Sequence, residues 1–562
     1  MAEQRLAGGS VTISGRARIC AVAASLALVV GACGSTTTTP SPAPSQSTLA
    51  SSPPVESAAV SPTATAGQCA PGGTLVMARN QEPDTLNPLT GTSGNGTIFT
   101  TMQVYQRLIE QSPESRDPVP GLASSWEAAP DGLSYTFHLK QAKFSNGDPV
   151  TAGDVKFSIL NFADPNLDAT ASFLATNIKD VVVVDPSTVR IEMKQVDASI
   201  LAALTLMEAS ILPEKVVKAL GQEKFGEQPV GSGPFMVKSF TPGQSVELVR
   251  NPNYNDNGKP YLDAVTFLFI KDDNARILKA QANEVQIVEG VPMPLAATIQ
   301  GIDGWHLDND AILAQDNVWL NHSWVDPSGK KILADKLVRQ ALNYATPKDD
   351  INKLVFNGLA TISNTGTTIT QYWDPKIAPI PYDIAKAKDL MSRSSVPNGF
   401  TLPLSIIANE SASQQTAELL QQAWAQIGVK VDIQPQDGAV QADDISALKY
   451  AAALRRPTSI TSDTPDDSEL ASIMYDWSKD WKSFFTDYKS ADASKLVHDA
   501  VATTDPAKRA QLYSQLQQLT LDEAITVPIV IPPALTGVSN KVHGFKTIPA
   551  GWWLLKDVCL DH

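Results

Sequence analysis

Hydrophobic and polar positions change period along this chain, and each change coincides with turn residues. Tyr135, Phe137 and Leu139 recur at every second position, the spacing of a strand with one buried face. Asn146-Gly147 then supplies a hairpin-type turn. Thr151 follows as a helix cap, with Asp154 three residues on in capping-box spacing. Residues 73–78 read as an opening strand that ends in the Pro-Asp-Thr-Leu-Asn-Pro turn of residues 83–88. Gly231-Ser232-Gly233-Pro234 gives a tight entry to a strand over 235–240. Thr241-Pro242-Gly243-Gln244 suits a type II turn, and 245–249 returns as the partner strand. Leu337, Val338, Ala341, Leu342 and Ala345 share one helical face. Residues 404–408, 412–427 and 429–433 alternate strand, helix and strand, with Gly428 stopping the helix. Pro506 sits in the first turn of a helix that follows Asp505 and runs to about 523, before a strand over 526–531. The pattern is mixed α/β. From Gly72 to His562 it is too long for one ordinary core, which predicts two lobes or more.

The amino-terminal segment follows different rules. Arg5, Arg16 and Arg18 flank a short apolar run, and Val30-Gly31-Ala32-Cys33 follows it, the order of a secretory signal. The run is well short of the ~20 apolar residues of a membrane span, and no later run reaches that length. Its ending on cysteine resembles the bacterial lipobox, which implies cleavage after residue 32 and diacylation of Cys33. Two acyl chains hold a membrane where one binds only marginally. Residues 33–71 are rich in Ser, Thr, Pro and Ala with almost no charge, so they cannot bury a core and read as a disordered tether. The full chain carries a net charge of −15. Loss of residues 1–32 removes three arginines and one glutamate and leaves −17. An acidic body of this kind argues against nucleic acid and against a basic membrane-binding face.

Several stretches taken in order resemble the extracytoplasmic solute-binding proteins of the peptide/nickel class, family 5. They are TFHLKQAKFSNGDPVTAGDVKFS, VGSGPFMV…VELVRNPNYN…YLDAVTF, LADKLVRQALNYAT, AWAQIGVKVDI and DPAKRAQLYSQLQQLTLDEAITVPI. The resemblance covers nearly all of residues 72–545. It implies an α/β, two-lobed periplasmic-binding-protein-like clamp (type II, cluster C-like) with an extra subdomain in lobe I. Lobe I is expected over 72–304, with its inserted subdomain at about 90–205. Lobe II follows over 305–530, and 531–562 returns to lobe I. Two crossing strands would form the hinge, and the ligand would lie between the lobes. The implied partners are a peptide or other small solute and the permease and ATPase of an ABC importer. The implied place is the outer face of the cytoplasmic membrane, with the protein a monomer held by its lipid anchor alone. No cofactor is implied.

Peptide-binding relatives neutralise the ligand ammonium with an Asp in a pattern similar to A-D-Y-P-D-P. Ser462-Asp463-Thr464-Pro465-Asp466-Asp467 occupies that place, making Asp463 the candidate. Arg455 and Arg456, slightly upstream, are candidates for a ligand carboxylate, which an Arg fork suits. Dipeptide-specific relatives carry an Arg where this chain has Ile406-Ile407, so longer peptides are favoured. Trp319 and Asn321, at the entry to lobe II, and Ser93, in the Gly91–Gly96 loop of lobe I, are candidate cleft residues. Cys20 leaves with the signal and Cys33 is the lipid site. Cys69 and Cys559 therefore remain, in an oxidising compartment. Because the resembling fold places both chain ends in lobe I, a Cys69–Cys559 disulfide is expected. An enzyme is the main rival class, but the chain has no G-x-S-x-G, H-E-x-x-H or C-x-x-C. Its six histidines are scattered singly, so no metal site is expected. A binding lipoprotein that regulates envelope processes without feeding a transporter is a third class with the same cleft, and a sugar, an opine or a nickel chelate is the alternative ligand.

Overall fold

Seven strands build the sheet of the first lobe. Across it they run Trp305–Asp310, Ala534–Ser539, Ile287–Val288, Thr74–Arg79, Ala264–Phe269, Ser245–Arg250 and Phe235–Thr241. The second lobe has six: Thr361–Ile362, Thr526–Ile531, Asp316–Leu320, Ala452–Arg455, Phe400–Ile407 and Val429–Gln436. A four-stranded antiparallel sheet inserted in the first lobe joins Ala123–Ala128, Ser134–Leu139, Thr188–Met193 and Ile178–Asp185. The computed structural model describes residues 71–561 except 92–94, 115–116, 168, 170, 311–314, 367–370, 456–470, 472–485 and 549–550.

Local chemistry explains why these segments start and stop where they do. Thr151 Oγ1 accepts from the Asp154 N–H while Asp154 accepts from the Thr151 N–H, closing a capping box on helix Ala152–Phe162. Val155, Ile159 and Phe162 of that helix are buried against the inserted sheet. Asp335 and Asp505 cap helices Lys336–Tyr344 and Pro506–Asp522 through their side chains. Gly243 takes φ +71 between strands Phe235–Thr241 and Ser245–Arg250, and the Gln244 N–H donates to Thr241 O, as the turn reading required. Gly231 and Gly233 lie so close to the Val104 carbonyl that a Cβ at either would fall within 2.6 Å of it, so the entry to the Phe235 strand tolerates only glycine. In the second lobe Trp424 is fully buried, and its indole N–H donates to Leu342 O and Thr346 Oγ1. It thereby fastens helix Ser411–Ala425 to helix Lys336–Tyr344.

Two chain passages connect the lobes. Trp305–Asp310 pairs antiparallel with Ala534–Ser539 in the first sheet, and Asp316–Leu320 pairs antiparallel with Thr526–Ile531 in the second. The outward passage therefore falls after Asp310, not at residue 305, because the Trp305 strand is hydrogen-bonded into the first lobe. The return runs between Ile531 and Ala534. A bulge at Asp316/Asn317 opposite Pro528 marks the second-lobe side of this hinge, where a proline can sit in a central strand without breaking the ladder.

Candidate functional site

Strand direction locates the site. Thr74–Arg79 is parallel to Ala264–Phe269 and Ile287–Val288, and all three point their carboxyl ends toward the hinge. In the second lobe Phe400–Ile407 is parallel to Val429–Gln436 and Ala452–Arg455, and these ends also point toward the hinge. Open α/β sheets bind ligands beyond the carboxyl ends of their strands. Here two such edges meet at one hinge and enclose the cleft.

At the second-lobe edge stands Arg455, the last residue of its strand, in register with Asn317 beside the hinge. It is half-buried, and its guanidinium donates to Gln441 Oε1 at 3.2 Å and Gly438 O at 3.4 Å. Burial lowers its pKa, and Glu410 opposes that shift. Gln441, itself fully buried, donates to Ser405 Oγ at 3.0 Å, which ties the Arg455 contact to the neighbouring strand. Gln315 is also fully buried and donates to Asn317 Oδ1 and Thr365 O, each at 2.7 Å, which stiffens the hinge floor next to Arg455.

The other second-lobe candidates point elsewhere. Trp319 and Asn321 lie two and four residues beyond Asn317 along the strand direction, about 7 and 13 Å from the hinge edge at ~3.3 Å per residue. Trp319 is buried among Ile445, Leu448, Tyr450 and Ala453. Asn321 donates to Leu448 O and Tyr450 O and accepts from the Ser323 N–H and hydroxyl. Its amide is wholly committed to the chain. Through it the lobe holds a turn in which Leu448 adopts φ +55, a strained value for leucine. Ser93, Arg456, Asp463, Cys33 and Cys69 lie outside the described residues.

Sequence reasoning missed Arg79 and Glu289, at the carboxyl ends of two adjacent first-lobe strands. Arg79 is fully buried and donates through Nε to Glu289 Oε2 at 2.6 Å and through Nη1 to Thr100 Oγ1. Its guanidinium lies 5.0–5.2 Å from the ring centres of Phe99, Phe267 and Trp553. The Glu289 side chain keeps 12% exposure. Residues this far apart in sequence gave no local signal. Only an arginine ending an apolar strand, in MAR at 77–79, hinted at a buried charge.

The sequence profile of the bacterial extracellular solute-binding proteins, family 5, matches residues 117–482. The chain belongs to that family. Heme-binding protein A of Haemophilus influenzae is 28% identical over 517 residues, covering 87% of this chain and 92% of its own. The glutathione-binding protein GsiB of Escherichia coli is 26% identical over 446 residues, covering 78% of this chain and 86% of its own. In structure, the periplasmic binding protein DppA of Helicobacter pylori, in complex with peptide STSA, superimposes with a TM-score of 0.73 at 24% identity. That superposition covers 88% of this chain and 99% of DppA. The fold is therefore the two-lobed clamp of the family 5 solute-binding proteins.

Proposed function

We propose that this chain captures peptides in the cleft between its two sheet edges and delivers them to the permease of an ABC importer. The observation that carries this reading is the hinge geometry, which sets a half-buried Arg455 at the cleft edge of lobe II, next in sequence to Arg456 and eight positions before Asp463. In this reading Asp463 meets the ligand ammonium, and Arg455 or Arg456 meets its carboxylate. Ser93, two positions before helix Asn95–Val104 in sequence, contributes from lobe I. A charge carried into a closed cleft is costly unless paired, so opposite charges at the two ends suit a zwitterionic ligand. Native mass spectrometry of the purified protein tests the ligand class. Co-purified peptides support the reading, whereas a bound heme with its visible absorption band, or glutathione, would replace it. Asp463→Ala is expected to weaken peptide binding by about 2–5 kcal/mol in calorimetry. Wild-type affinity would remove Asp463 from the site.

The same reading places the protein on the outer face of the membrane through a diacylated Cys33. Labelling with an alkyne fatty acid should mark the wild type, and retained label in Cys33→Ser would overturn the anchor. We also propose a Cys69–Cys559 disulfide. Cys559 is fully buried and is not a free thiol. Its neighbour Leu560 packs so near Gly73 that a Cβ built there would lie 3.3 Å from Leu560 Cδ1, which sets the start of the first described strand against the last. The chain-entropy model gives a loop this long about 6 kcal/mol as an upper figure. Two titratable thiols in the denatured, unreduced mature protein would refute the pairing.

A further inference from the structure

The lobes also touch away from the hinge, through the inserted subdomain of lobe I. The Ala198 N–H, in the inserted subdomain of lobe I, donates to Val501 O at 2.9 Å, at the end of helix Ala491–Val501 in lobe II. Beside it a Cβ built on Gly132 would lie 3.6 Å from Thr504 Cγ2. Gln371 of lobe II donates through Nε2 to Asp117 Oδ1 of lobe I at 2.8 Å.

On each side these contacts rest on a braced frame. Arg509 donates to Ala500 O at 3.0 Å and to Tyr372 Oη at 3.1 Å, and its guanidinium lies 5.0 Å from the Tyr372 ring centre. Val501 and Gln371, the two residues that reach across, are therefore the immediate neighbours of residues held by one arginine. In lobe I, Asp197 accepts from Asn177 Nδ2 and from the Ser199 N–H and hydroxyl, while its carbonyl accepts from Tyr135 Oη. This fixes the turn that aims the Ala198 N–H.

We propose that this seam is a closing latch, which stabilises the closed clamp without touching the ligand and so sets how much of the unliganded protein is closed. The binding-competent fraction scales apparent affinity directly, so a latch tunes capture and release without altering specificity. The inference rests on the clamp fold, and it shares the solute-capture reading only for that consequence.

The test is a charge series at the exposed Gln371–Asp117 contact in the full mature chain without ligand. A fluorophore pair at the exposed Lys179 and Lys353 reads the interlobe distance. Gln371→Glu sets like charges against each other and is expected to raise the open fraction about two- to fourfold, the range of exposed charge pairs. Gln371→Arg is expected to lower it by a similar factor. The double variant Asp117→Lys, Gln371→Glu is expected to return it toward wild type. All three shifts should shrink at 1 M salt, where the screening length is ~3 Å. Melting temperatures within a degree of wild type confirm that folding is intact. One distance distribution shared by all four proteins would overturn the latch. Shifts in distance with no capture of peptides by any variant would leave the latch standing and remove the peptide reading instead.

Discussion

Among the described residues, strand ends beside the hinge carry Arg79 in lobe I and Arg455 in lobe II, in opposite circumstances. Arg79 in lobe I is sealed by Glu289, Thr100 and three aromatic rings, with its charge already answered inside the fold. Arg455 in lobe II is half-buried and held by two neutral acceptors at 3.2 and 3.4 Å. The first is a frame that pins the Thr74–Arg79 strand to its neighbour. The second, among the described residues, meets neutral hydrogen-bond acceptors, with Glu410 as the charge that acts on it. The contrast is between a charge closed inside the lobe I frame and one that, in the function proposed above, meets the ligand.

The sharpest way to break that comparison is to truncate both arginines. Arg79→Ala leaves Glu289 buried without its cation and is expected to cost about 3–5 kcal/mol of stability. Arg455→Ala is expected to cost under about 1 kcal/mol while weakening a carboxylate-bearing peptide. Equal urea midpoints for the two variants would erase the distinction between frame and site. Asn321→Ala extends the test to the lobe II interior. Two carbonyls would lose their donor around the strained Leu448 turn, at a cost of about 1–3 kcal/mol by chemical denaturation. Peptide affinity at unchanged closure should hold, and a selective loss of affinity would return Asn321 to the cleft.

A titration sharpens the lobe I side. Burial pushes the Glu208 carboxyl up to about 7 from its ordinary 4.5, against a smaller opposing effect of its own backbone N–H. The folded state then holds this proton more tightly than the unfolded state. The stability it contributes is complete below pH 4.5 and is lost as pH rises through 7. Glu208→Gln is expected to flatten the stability profile between those values, and an unchanged slope would assign the dependence elsewhere. Smallest is the helix cap of the inserted subdomain, where Thr151→Ala is expected to cost about 1 kcal/mol with no effect on binding.

Local grammar was the legible part of the fold. The capping box at Thr151 and Asp154, the Pro242-Gly243 turn and the helix start at Asp505 all stand where their residues placed them. The strand over 526–531 matches residue for residue. Each depends on hydrogen bonds or dihedral limits spanning only a few positions. The candidate site was legible less evenly. Arg455 was proposed from the family resemblance, and the strand Ala452–Arg455 that carries it to the hinge side was not read from the sequence. Trp319 and Asn321 sit at the right place in sequence but deeper along a strand that runs away from the hinge, and direction within a sheet is not a local property. The strand at Trp305 was assigned to the wrong lobe for the same reason, since its partner, Ala534–Ser539, lies more than two hundred residues away.

By itself the sequence determined the acidic, mixed α/β body and the family, because composition, short-range periodicity and ordered motifs carry these. Tertiary structure alone decided that the carboxyl ends of two sheets face one hinge. It alone caged Arg79 with Glu289 across 210 residues and brought Ala198 to Val501. These are pairings between distant positions, and their energies depend on which surfaces exclude water together. No window of neighbouring residues contains that information.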